Sequence, residues 1–210
     1  MRKYLEPTDV IDADHDAIRK ASQEVTAGKK SVRQKSVELF YFVRDQIAYN
    51  PYLPRFLPEQ FQASATLARG EGFCITKAVL LAALSRAAGI PARLGFAVLR
   101  NHLIPPKLAS MLKTNMIPDH GYAELYLEGG WVKATPAFDL TTCLEHCIRP
   151  VEFDGVKDAV FHRLNQNGDL HIEYVRERGK YSDLPLPEIT AWVAEALRPE
   201  AQKMLLGREF

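Results

Sequence analysis

Between a glycine-rich turn and an abrupt stop, Cys74 to Ala88 is a run of small residues rich in alanine and leucine. Gly89 and Pro91 close it, a pattern that ends a helix and bars its continuation. The chain changes character around this helix. Upstream, Asp14 to Ala27 predicts a helix with Ile18, Ala21 and Val25 on one side and Gly28 as its stop. Ser31 can cap a second helix, in which Val32, Leu39, Phe40, Val43 and Ile47 recur at three and four and which Asn50-Pro51 ends. Residues 51 to 72 carry their prolines and glycines at the two ends and read mostly as loop. Downstream, Ala92 to Leu99, Tyr122 to Leu127 and Trp131 to Ala134 read as strands, the last two joined by a hairpin across Glu128-Gly129-Gly130. Leu170 to Val175 alternates as a fourth strand, and Pro187 to Leu197 is a late helix with Ile189, Trp192, Val193 and Leu197 on its apolar face. Helices first and antiparallel strands later predict an α+β fold.

Composition narrows the function classes. The chain has 210 residues, 47% hydrophobic and 25% charged, as in an ordinary soluble globular protein. We expect a single domain over 1–210, with a core at about 31–140 and a C-terminal extension at about 180–210 that could form an added layer or a lid. The balance of 27 Lys+Arg against 26 Asp+Glu leaves no sequence-wide argument for nucleic acid or an acidic membrane surface. The cluster Lys29, Lys30, Arg33 and Lys35 reads as a solvated helix start. The longest apolar run, Ala78 to Leu84, is far too short for a membrane span. No apolar segment follows Met1-Arg2-Lys3, so no signal peptide is expected. The odd cysteine count (Cys74, Cys143, Cys147) then points to reduced thiols in a cytoplasmic protein.

Cys74 directly follows Gly70-Glu71-Gly72-Phe73, at the first turn of the predicted helix. Unpaired backbone N–H groups and the positive end of the helix dipole favour thiolate there, and the same N–H groups can hold an oxyanion. The alternative is a small buried hydrophobe. A thiolate needs an imidazole partner, and that partner an orienting group. His15, His162 and His171 sit in polar surroundings. His120 begins the strand of the hairpin, and His102, after the first strand, is the runner-up base. Cys143, His146 and Cys147 have no second ligand pair, so we assign no metal; Cys143 and Cys147 read as one buried face of a short helical turn. No glycine loop suited to a phosphate appears.

Gly72-Phe73-Cys74, then Gly89-Ile90-Pro91-Ala92-Arg93, then His120 with Glu124-Leu125-Tyr126-Leu127 and Gly130-Trp131-Val132, resembles the transglutaminase-like superfamily. Its members carry a cysteine-turn-helix, a G-I-P-A-R strand entry, an H-x-W-x-E-V-Y strand and a G-W-x-x-x-D strand. The resemblance spans Gly70 to Asp139 with its parts in order. It implies a papain-like core, the nucleophile helix packed on an antiparallel sheet, with Cys74 attacking an amide or ester carbonyl and His120 as its partner. Tyr122 stands where tryptophan is usual, and Thr135 where the aspartate is usual. Three readings of that departure stay open: Asp139 swings back past Pro136 to orient His120, the reading we favour; the Thr135 hydroxyl orients it; or the triad is broken. Arg93 matches the family arginine and lines the site or pairs with Glu124, and Gln62 has suitable chemistry for a second oxyanion donor.

These features lead to an expected cysteine peptidase or amidase without cofactor, acting on a peptide or protein amide through a thioester at Cys74. A cross-linking acyltransferase and a catalytically inactive binding or scaffold module of the same fold are the alternatives.

Overall fold

The computed structural model describes residues 1–111 and 114–197. Its centre is the predicted apolar helix, α4 (Cys74–Ala87), in which every residue from Ile75 to Arg86 is buried. A helix apolar all round has no solvent face and must be enclosed. Here α1 (Asp16–Val25), α2 (Val32–Gln46) and α3 (Ala63–Arg69) pack on it from one side, and the sheet strands β3 (Ala92–Asn101) and β4 (Met116–Leu127) from the other. Two short parallel strands, β1 (Ala48–Tyr49) and β2 (Glu71–Gly72), tie the end of α2 to the turn before α4. The antiparallel sheet runs in the order β5-β4-β3-β6, with β5 (Gly130–Ala134) and β6 (Ile172–Tyr181) at its edges. This is the expected α+β arrangement, with the Cys74 helix packed on the antiparallel sheet.

Local chemistry explains the element ends. Ser31 caps α2 reciprocally: its hydroxyl accepts from Gln34 N–H at 3.1 Å while the Gln34 side chain accepts from Ser31 N–H at 3.2 Å. Gly89, at φ +77°, supplies the left-handed residue that ends α4. Two polar residues inside the buried helix close chain ends instead of facing water. Lys77 Nζ donates to the carbonyls of Arg44 and Ile47 at 3.0 and 2.5 Å, satisfying the C-terminus of α2. Burial pushes the Lys77 amine down to about 7, against the charges of Asp139 and Asp45. Arg86 binds the carbonyls of Ala92, Glu6 and Ser182, pinning the N-terminal segment and the exit of β6.

Several expectations need correction. Residues 51–72 are not mostly loop: they contain α3, whose N-terminus is fixed from outside by Asp12 Oδ1 accepting from Ser64 N–H at 3.1 Å. Strand β4 begins six residues earlier than its hydrophobic pattern predicts, because Met116 and Ile117 already pair with Arg100 and Leu99. Strand β6 extends to Tyr181, since its charged residues face a polar network rather than breaking the strand. A short helix, α5 (Pro106–Met111), had no periodicity long enough to register, and the short helical turn expected at Cys143–Cys147 is α6 (Leu140–Glu145), which starts earlier and ends before Cys147. Cys143 and Cys147 do not share a buried face: Cys143 is buried on α6, while Cys147 lies beyond its end, exposed, at φ +53°. The late helix α7 (Leu186–Ala196) sets Trp192 against Phe96 at 5.7 Å, packing as an added layer. The lid expectation for the rest of the extension falls on residues 198–210, outside the described residues.

Candidate active site

Cys74 is the first residue of α4. Phe73 N–H donates to Thr76 Oγ1 at 2.9 Å, which tightens the turn and leaves the N–H groups that follow without helical partners. The end of the helix presses on β4 at Gly121, where an added Cβ would stand 3.0 Å from Ile75 Cγ1 and 3.2 Å from Ile75 Cα. Only glycine permits that approach. The backbone N–H groups of Gly121 and Ile75 both act to favour the Cys74 thiolate. This helix-start effect is the one expected from the sequence, but it is outweighed. Part of Cys74 remains accessible, yet burial, helped by the nearby Asp119 charge, pushes the thiol up to about 11.

His120 is 2% exposed. Its ring lies among Phe161, Tyr174 and Tyr122 at centroid distances of 4.9, 6.0 and 6.1 Å. Its Nε2 has no hydrogen-bond partner among the described residues. Burial drives the imidazole down to about 3, with the charge of Glu177 opposing. Cross-strand register explains that opposition. Ala97 on β3 pairs with His120 on one side and with Glu177 on the other, so all three lie in one row across the sheet. Next to that row Gly95 leaves room for the Tyr122 ring, which an added Cβ would meet at 2.5 Å. Tyr122 therefore reaches over β3, and its hydroxyl donates to Glu177 Oε2 at 2.6 Å. Lys133 and Lys180 complete the cluster and, with Tyr122, hold Glu177 at about 2 despite partial burial. Tyr174 links the two halves of the site: its ring touches the His120 ring, and the Cys74 charge acts on its hydroxyl.

The structure gives Asp139 a different task from the expected one. One oxygen accepts from Tyr49 N–H at 2.7 Å and Thr142 Oγ1 at 3.0 Å, and the other from Thr142 N–H at 2.8 Å. Burial works to raise this carboxyl, but those donors hold it below its usual range. It caps α6 and anchors β1, and neither oxygen bonds His120. Thr135 occupies the row next to Tyr122 by extension of the Ala123–Ala134 pairing, on the face His120 shares. Its hydroxyl is buried and makes no hydrogen bond; it stands close enough to Tyr174 to ease that residue's ionisation, without bonding geometry.

Other candidates are accounted for. His102 is held by Glu173 at 2.7 Å. Arg93 pairs with Glu124 at 2.7 Å and stacks over Trp131 at 4.1 Å. Gln62 donates its amide to Asp9 O at 3.0 Å and offers none to Cys74. Sequence reasoning missed Asp119 and Arg55. The two pair at 3.3 Å, and Arg55 stacks on the Phe73 ring at 4.2 Å. Asp119 directly precedes His120 and could have been noticed for that. Arg55 lies in the proline-rich stretch and carries no local signal.

With this geometry in place, the comparisons with known proteins are informative. The family model of the transglutaminase-like superfamily matches residues 19–136, more than half of the chain. The chain belongs to the transglutaminase-like superfamily. Among solved structures it is similar to a candidate cysteine protease from Cytophaga hutchinsonii, at 18% identity and a TM-score of 0.52, over 85% of this chain and 53% of that one. It is also similar to the periplasmic domain of TgpA from Pseudomonas aeruginosa, at 22% identity and a TM-score of 0.45, over 64% of this chain and 45% of that one. The chain thus spans about half the length of these structures. At such identities the first likeness is one of fold, and the second adds no argument. No curated protein matches the sequence significantly. Among the described residues, no helix is long and apolar enough to cross a membrane.

Proposed function

We propose that the chain is a cysteine hydrolase acting on amides or esters, with Cys74 as nucleophile and His120 as the group that takes and returns the proton. The observation that carries this reading is the seating of Cys74 at the first turn of α4, whose next residue Ile75 presses on β4 at Gly121, directly after a buried histidine whose Nε2 is unpaired among the described residues. In the acylation step Cys74 Sγ bonds to the carbonyl carbon as its proton passes to His120. The first-turn N–H groups of α4 hold the oxyanion. The C–N or C–O bond then breaks, and the leaving group takes the proton from His120. Water, deprotonated by His120, hydrolyses the thioester and restores the thiol. An amine in place of water would give the cross-linking reaction. Both catalytic groups rest neutral in this proposal, so the proton moves only when a carbonyl is bound.

One set of observations favours a second reading, an inactive binding module. Thr135 stands where the family carries its acid, Asp139 is fully used elsewhere, and burial disfavours the charged form of both Cys74 and His120. Incubation with p-nitrophenyl acetate, followed by peptide mass spectrometry, separates the two. The enzyme reading expects one acetyl group per chain, on Cys74, with turnover lost in Cys74→Ala. No acetylation of Cys74, or turnover that survives Cys74→Ala, establishes the binding module instead.

A further inference from the structure

The loop between β1 and α3 brings a cation to the thiol. Arg55 Cζ sits over the ring of Phe73, the residue before Cys74, 4.2 Å from its centroid. Its Nη1 donates to Asp119, the residue before His120, at 3.3 Å. Its Nη2 donates to Pro51 O at 3.2 Å. A single guanidinium thus bridges the backbone neighbours of both proposed catalytic residues. The two members of the pair differ in exposure: the Asp119 side chain is 4% exposed, that of Arg55 25%. An incoming molecule meets the cation first, with the carboxylate behind it. The contact to Asp119 is long for a charged pair and involves one nitrogen only, so the planar fork keeps N–H groups available for a bidentate partner. Stacking on Phe73 and the bond to Pro51 O hold the fork in place before any ligand arrives.

We propose that Arg55 is a specificity-determining residue that selects acyl substrates bearing a carboxylate beside the reactive carbonyl, such as a peptide with an acidic side chain or a free C-terminus at that position. The inference rests on Cys74 being the nucleophile. Asp119 sets the orientation of Arg55 and moderates its attraction, so a neutral substrate gains nothing from the pair while an anionic one does. The same guanidinium favours the thiolate of Cys74, and Asp119 opposes it.

The test compares two alkylating agents of nearly equal size, anionic iodoacetate and neutral iodoacetamide, on the intact chain at pH 9. In each case the Cys74 sulfur bonds to the methylene carbon, iodide departs and the thiol proton goes to solvent. Exposed Cys147 serves as control within the same molecule. The iodoacetate-to-iodoacetamide rate ratio is expected to be about fivefold higher at Cys74 than at Cys147, the worth of a partly exposed ion pair. Arg55→Gln should bring the two ratios together, and Arg55→Lys should restore part of the difference. Equal ratios at both cysteines in the wild type overturn the inference, and this comparison needs no variant to fold. So does a preference unchanged in Arg55→Gln. Reaction at Cys74 with iodoacetamide but no charge preference removes Arg55's role and leaves the nucleophile standing. Reaction with neither reagent removes both.

Discussion

The two flanks of the Cys74 sulfur are made of different materials. On one side stand an opposed charge pair, Arg55 and Asp119, and the half-buried Tyr49. On the other stands Tyr174, whose ring meets His120 in its cage of aromatic rings; the charge that acts on His120, Glu177, is set one full strand away and already engaged by two lysines and a tyrosine. The difference teaches where ionisation is controlled. The thiol has charges beside it, but they oppose each other, and burial decides its state. The imidazole has no carboxylate in contact, so burial decides that too, in the opposite sense. On both flanks burial therefore favours the neutral form, and the pair rests uncharged.

The largest effect should come from the aromatic flank. His120→Ala is expected to slow acetylation of Cys74 by p-nitrophenyl acetate about 10²–10⁴-fold, the usual share of general acid–base catalysis. An unchanged burst rate would reduce that flank to packing. Gly121→Ala attacks the junction of the flanks: the new Cβ must push Ile75 and the start of α4 away from β4. Thermal unfolding should show a loss of about 1–3 kcal/mol, the cost of overpacking, together with slower acetylation. A variant as stable and as reactive as wild type would mean that the close approach is incidental.

Thr135→Asp sharpens the comparison by supplying the missing acid on the imidazole face. NMR titration should find the His120 pKa raised by about one to three units, the effect of a neighbouring opposite charge. No movement would mean that position 135 does not address the ring. Asp139→Ala should cost about 2–4 kcal/mol of stability, through the lost α6 cap and the Tyr49 N–H left unpaired, with acetylation barely altered. If it slowed acetylation as severely as His120→Ala, Asp139 would be the orienting acid after all.

What was legible in the sequence was local. The α4 helix could be read because its composition and its Gly89-Ile90-Pro91 stop are contiguous, and the β4–β5 hairpin because Glu128-Gly129-Gly130 is a turn in itself. Helix α3 was hidden because its start is fixed by Asp12, about fifty residues earlier. The site divides the same way. Cys74 and His120 stood out through turn and strand patterns, whereas the use of Asp139 is decided by Tyr49, ninety positions away. The burial of the thiol is long-range in the same way. The helix start is visible in the sequence, but the burial that outweighs it depends on strands and loops from elsewhere in the chain. Lys77 is a charge on the N-terminal half of an apolar helix, where buried carbonyls receive it.

The most direct test of the neutral resting pair is the rate of Cys74 alkylation by iodoacetamide as a function of pH, in wild type and in His120→Ala. The account predicts a midpoint well above the free-thiol value of about 8.5, near the raised value of about 11, and little changed by removing the imidazole. A midpoint below neutrality that His120→Ala abolishes would contradict it, showing a thiolate–imidazolium pair formed before any substrate binds.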